Sequence, residues 1–352
     1  MRQTLLRIWL EQPWAGLTKQ GTDPELLGAC WVWILGWLLF FAVAFVRKDQ
    51  TPLRDKLNWL IFGVGLVGIS LLGPAGILPK YIPIFGYGAF VLLGFLSAMG
   101  FANHRAKQVG FDHNHVMDVA FWILIFGIGG GRLAYLIQYG EYVFSNARGL
   151  PDMLFRAINL AEGGLVLIGA LVGGTLGFLF YCLRKKVNPF EFADILMPGV
   201  FIGIGFGRIG CLMNGCCFGD RCDMPWAITF PHGSVTFNIL VERGFVDPDA
   251  AATIPLHPTQ IYSSINGFVL ALVTGTFFWY RRYAGDVFAL SCILYPITRF
   301  QLELLRSDEM GQLGTGLTIS QLYSIGIFLF GVGLLLSGPF LRPSVTATRP
   351  AH

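Results

Sequence analysis

ADILMPGVFIGIGFGRIGCLMN, residues 193–214, decides how the rest of the chain is read. The stretch is about as long as a helix must be to cross the hydrocarbon of a bilayer, and it is apolar enough to do so. Yet it holds Arg208, preceded by Gly203, Gly205 and Gly207. An arginine at mid-bilayer costs about 2.5–3.5 kcal/mol and as a rule faces a polar cavity.

Eight further stretches of similar length flank it, near 28–46, 57–77, 84–102, 116–139, 163–183, 257–280, 286–304 and 317–338. Of the 352 residues, 54% are hydrophobic and only 13% are charged, against about 25% charged in a soluble domain. The expected fold is therefore an all-α polytopic membrane protein with about nine transmembrane helices. A net charge of +4 without a long basic run gives no reason to expect nucleic acid as a partner.

Residues 1–27 read as a retained tail, since no long apolar stretch or small-residue cleavage site follows Arg2 and Arg7 at signal-peptide distance. Its Leu5, Leu6, Ile8, Trp9, Leu10 and Trp14 would lie on the membrane surface as an amphipathic turn or two. Basic residues gather in alternate loops, at Arg47, Lys48, Arg54 and Lys56, at Arg105 and Lys107, at Arg184, Lys185 and Lys186, and at Arg281 and Arg282. Their density is roughly threefold that of the other loops, which puts the N-terminus outside and the C-terminus in the cytoplasm. The largest loop, 215–256, then faces outward and reads as a small ordered head, with Pro225, Pro231, Pro248, Pro255, Trp226, Phe230 and Phe237.

Two more arginines lie inside apolar segments, Arg132 after Gly129-Gly130-Gly131, and Arg299. With this orientation all three fall in the outer half of the membrane. Glu303 follows Arg299 by four residues and shares its helical face, so the two can pair. One carboxylate cannot neutralise three guanidiniums. The excess positive charge asks for an anion, and a guanidinium fork matches phosphate, so a phospholipid head group is the expected ligand. Gly127 and Gly131, the series Gly169, Gly173, Gly177 and the series Gly199, Gly203, Gly207 repeat every four residues, the spacing that lets helix backbones approach closely.

Four of the seven cysteines cluster at Cys211, Cys216, Cys217 and Cys222. Their C-x4-C-C-x4-C spacing differs from the C-x2-C pairs of structural zinc sites, so no metal is expected. One or two disulfides of undefined pairing are the expected state in an oxidising exterior. Cys30, Cys182 and Cys292 lie in apolar segments and read as small core residues.

The blocks Gly130-Gly131-Arg132-Leu133, Glu162-Gly163-Gly164, Gly207-Arg208-Ile209-Gly210 with Asn214-Gly215 and Gly219, His257-Pro258-Thr259-Gln260-Ile261-Tyr262, and Arg299-Phe300 with Glu303 and Arg306 stand in a distinctive order. In that order and spacing the chain resembles the prolipoprotein diacylglyceryl transferase family over roughly residues 82–340, with Gly86-Tyr87-Gly88 similar to the family's tyrosine element. The resemblance implies a seven-helix core, an added N-terminal hairpin within 1–81 and a cytoplasmic tail at 341–352. It also implies a bacterial inner-membrane enzyme that moves the diacylglyceryl group of phosphatidylglycerol to the lipobox cysteine of prolipoprotein signal peptides. Glycerol phosphate is released, and no cofactor is expected.

On that resemblance Arg208 and Arg299 would stabilise the phosphate, Glu303 would orient Arg299, and Arg132 would bind phosphate or position its helix. His257, Glu162 and the phosphate itself are the candidate bases. Tyr87, Asn214, Gly219, Gln260, Tyr262 and Arg306 are the remaining candidate substrate contacts. Where many members carry Asn, Glu and His, this chain has Cys211, Cys216 and Ile168.

Other classes of function make different demands. A transporter needs a polar path to both faces, whereas these ionisable residues lie in one half. A membrane thiol–disulfide oxidoreductase would use Cys216 or Cys217 and depend on quinone, and a repurposed lipid-binding relative would keep the arginines without turnover.

Overall fold

The structure is a computed structural model that describes residues 4–17, 25–46, 56–145, 149–159, 163–306 and 317–344. Helices dominate, and each of the nine apolar stretches coincides with one: α1 Ala29–Val46, α2 Lys56–Leu72, α3 Gly86–Gln108, α4 Asn114–Phe144, α6 Leu167–Lys185, α7 Pro189–Asn214, α9 Thr259–Phe277, α10 Asp286–Glu303 and α11 Ile319–Leu341. Between them lie the short α5 Leu150–Ile158 and α8 Val235–Glu242. Five of these helices, α3, α4, α6, α7 and α11, are long and apolar enough to cross a membrane.

The chain divides into two compact units, Met1–Leu92 with Phe206–Ile261, and Leu93–Gly205 with Tyr262–His352. In the first, the all-helical expectation needs correction. The N-terminal stretch is not a surface turn but a strand, β1 Thr4–Trp9, which pairs in parallel with β2 Glu25–Gly28 and antiparallel with β3 Tyr81–Phe85. A six-residue apolar run carries too little periodicity to separate helix from strand, and one of its partners lies more than seventy positions away. The hairpin of α1 and α2 is locked by aromatic contact, with Trp33 Nε1 donating to Phe62 O at 3.1 Å and Phe41 stacked on Trp59. The loop after α7 closes on its own core of Phe218, Phe230, Leu240 and Leu256. There α8 starts on Ser234, whose hydroxyl caps the Phe237 N–H.

The second unit holds the largest buried core, built from Ala102, Val116, Val119, Tyr181, Phe192, Ile195, Phe278 and Val287. Within it α4 and α6 pack backbone to backbone. A β-carbon on Gly130 would stand 2.9 Å from Gly173 Cα, so the contact admits no side chain at that point. At one end of the unit Asp194 accepts from Gly285 N at 2.8 Å and Phe288 N at 2.9 Å, and pairs with Arg281 at 3.5 Å. Beside it Asp286 pairs with Arg342 at 3.0 Å. These buried charges cap the start of α10 and tie down the end of α11.

Candidate functional site

Within the first unit, the last turns of α7 present Arg208. The guanidinium is half-buried and makes no hydrogen bond or ion pair with any described residue. One turn on, Gly210 lets the start of α3 pass closely, because a β-carbon there would stand 3.2 Å from Tyr87 O and 3.3 Å from its ring. The half-exposed Tyr87 phenol lies within electrostatic reach of Arg208, Cys211, Cys216 and Cys217.

The helix ends at Asn214, and Gly215 turns the chain with φ +72°. The loop is then pinned by the first residues of α9. Thr259 Oγ1 donates to Cys217 O and Gln260 Nε2 donates to Cys216 O, both at 2.8 Å. Gln260 is fully buried, and its Oε1 has no hydrogen-bond partner among the described residues. Gly219 N donates to His257 O at 3.1 Å and His257 N to Asp220 O at 2.8 Å, which fixes the backbone beside the half-buried His257. Asn214 is half-buried beside Cys216.

All seven cysteines carry free thiols. Cys211, Cys216 and Cys217 bring their sulfurs within 4.8 Å of one another, while Cys222 is buried outside this trio. The bond to Cys211 favours an ionised Cys216, but the bond to Cys217 and burial outweigh it and hold that thiol above its ordinary range.

In the second unit Arg132 is saturated by backbone. It donates to four carbonyls: Nε to Ala157 O at 2.9 Å, Nη2 to Arg156 O at 2.6 Å, and Nη1 to Gly163 O at 2.9 Å and Gly164 O at 3.1 Å. Two of those carbonyls close the C-terminal end of α5, where a cation also meets the negative end of the helix dipole. The other two belong to glycines with φ +81° and +83°, a conformation that the Glu162-Gly163-Gly164 motif supplies. Arg132 is thus a clamp on the segment next to Glu162, which itself lies outside the described residues.

A second cluster forms on α10. Arg299 Nη2 meets Glu303 Oε2 at 2.5 Å and donates to Ser320 Oγ at 3.2 Å, at the first turn of α11. Glu303 is almost fully buried, and Arg306 N donates to its carbonyl at 3.1 Å. Tyr262 and Arg306 are half-buried, and Ile168 is exposed. The sequence marks the cysteine cluster but not which three sulfurs converge, and it does not disclose the carbonyl clamp around Arg132, at which only the glycine pair Gly163-Gly164 hints.

Residues 77–337 match the family described as prolipoprotein diacylglyceryl transferase. The chain is 35% identical over 259 residues to the phosphatidylglycerol–prolipoprotein diacylglyceryl transferase of Clostridium tetani, covering 71% of this chain and 94% of that protein. Transferase 2 of Clostridium perfringens is 34% identical, with 71% and 90% covered, and the Photobacterium profundum enzyme 32% identical, with 77% and 95% covered.

Proposed function

This chain belongs to the prolipoprotein diacylglyceryl transferase family, and we propose that it transfers the diacylglyceryl group of phosphatidylglycerol to the lipobox cysteine of prolipoproteins. The observation that carries the reading is Arg208: a half-buried cation on a membrane-length helix, with no protein partner among the described residues. An unneutralised guanidinium in such a place costs free energy unless an anion meets it. The phosphodiester of a phospholipid is the anion that a membrane supplies.

In the reaction the acceptor sulfur attacks the glyceryl carbon, an S–C bond forms, and the C–O bond to phosphate breaks. Glycerol phosphate leaves with the electron pair, and the thiol proton passes to a base. Arg208 is suited to the charge that develops on the departing phosphate, because a preorganised donor in a dry site is worth far more than in water. Tyr87, beside Arg208, is a head-group contact. Arg299 is a second candidate for phosphate charge, already oriented by Glu303. Arg132, with its donors engaged, is a positioning residue.

His257, Glu162 and the phosphate remain the candidate bases, with Asn214, Gly219, Gln260, Tyr262 and Arg306 as further substrate contacts. The distribution of basic residues supports nine spans, an outward head at 215–256 and an N-terminus outside the inner membrane. The test is direct: the purified chain, in vesicles of phosphatidylglycerol with a lipobox peptide, should form the thioether-linked diacylglyceryl cysteine and release one glycerol phosphate per product. Absence of the thioether in a folded sample would overturn the reading.

A further inference from the structure

Cys211, Cys216 and Cys217 have no part in the transfer chemistry above, yet the fold gathers their three sulfurs within 4.8 Å of one another. We propose that they form a binding site for a single thiophilic d10 cation, Zn2+ or Cu+, that ties the last turn of α7 to the loop that follows it.

The local backbone is arranged for this convergence. Cys211 lies on the last turn of α7, and Cys216 N returns to Cys211 O at 3.1 Å after the left-handed turn at Gly215. In an extended chain the side chains of Cys216 and Cys217 would point to opposite sides. Cys217 instead adopts φ +59°, a region disfavoured for any residue with a β-carbon. That turn brings its thiol round to the other two. Thr259 and Gln260 hold the carbonyls of Cys217 and Cys216 at 2.8 Å, so the loop is fixed before any ligand arrives.

Ligand chemistry agrees with the geometry. Thiolates select soft or borderline d10 ions, and a Zn–S bond of about 2.3 Å puts sulfurs about 3.8 Å apart in a tetrahedral set. Small side-chain rotations close the remaining gap. A disulfide would use two of the sulfurs and strand the third, whereas mutual proximity of all three is what ligation requires. Three thiolates around Zn2+ leave one negative charge. Binding forms three metal–sulfur bonds and releases three thiol protons to solvent, with no electron transferred.

Full-length protein, purified in detergent with reductant and then stripped of metal, can be titrated with Zn2+ and in parallel with Cu+. Bound metal is counted after gel filtration, and Co2+ serves as the optical reporter of thiolate ligation. The expected result is about one equivalent per chain with a thiolate-to-cobalt band. Cys211→Ser, Cys216→Ser and Cys217→Ser should each lose it, Cys222→Ser should keep it, and Cys217→His, which restores a ligand, should keep it too. Matching gel-filtration profiles separate loss of ligation from loss of fold.

Failure of the wild-type chain to retain either ion would overturn the proposal, as would unchanged binding in the triple-serine variant. So would a Cys211–Cys216 or Cys216–Cys217 disulfide that persists beside added Zn2+. Metal content is read without turnover, so this result stands or falls separately from transferase activity.

Discussion

Arg299 and Glu303 sit four residues apart on α10, and their guanidinium and carboxylate meet at 2.5 Å with the Glu303 side chain fully buried. Removing one partner of such a pair leaves a buried charge uncompensated, at a cost of about 3–5 kcal/mol. Glu303→Ala should therefore lower the thermal midpoint sharply in detergent. Glu303→Gln keeps the shape and a polar oxygen while removing the charge, and should unfold closer to wild type. Turnover should fall in both, since Arg299 loses its fixed orientation. Equal midpoints for Glu303→Ala and wild type would show that the pair contributes nothing to the fold.

Arg132 predicts a different pattern. Its four carbonyl bonds hold Arg156, Ala157, Gly163 and Gly164 in place. Arg132→Ala should speed hydrogen exchange around these residues and cost roughly 1–3 kcal/mol, the desolvation penalty of carbonyls left unmet. Arg132→Lys supplies one compact donor group in place of a fork and should restore only part of the protection. Exchange unchanged in both variants would remove the clamp from consideration.

Gly130 is one of the tightest points of the α4–α6 contact, whereas a β-carbon on neighbouring Gly129 would meet nothing within 4 Å. Gly130→Ala should thus destabilise by about 1–3 kcal/mol through overpacking, and Gly129→Ala should leave the thermal midpoint near wild type. Similar midpoints for the two variants would mean that the helices separate more freely than their backbones suggest.

How much of this was legible beforehand follows from the range of the interactions involved. Segments such as 193–214 announce themselves by length and apolarity, which are local properties, and the Arg299–Glu303 pair follows from helical spacing alone. Strand β1 was missed because its identity depends on partners at 25–28 and 81–85, not on its own six residues. The Asp194–Arg281 and Asp286–Arg342 pairs stayed hidden because their members come from four separate places, the start of α7, the α9–α10 connection, the start of α10 and the end of α11. The convergence of the three thiols stayed hidden for a related reason. The C-x4-C-C-x4-C spacing says nothing about a left-handed residue at 217 that turns adjacent thiols to one side.

Arg208, the half-buried guanidinium without a partner among the described residues, carries the functional conclusion, and one comparison tests it most directly. The rate of thioether formation on a lipobox peptide in phosphatidylglycerol vesicles is measured for wild type and Arg208→Ala, each shown to share the same thermal midpoint. The rate should fall by about 10²-fold or more, the loss typical when a preorganised donor to a developing anion is removed. A rate within about threefold of wild type would be only a small fraction of that loss, and would contradict the assignment of Arg208 to the phosphate.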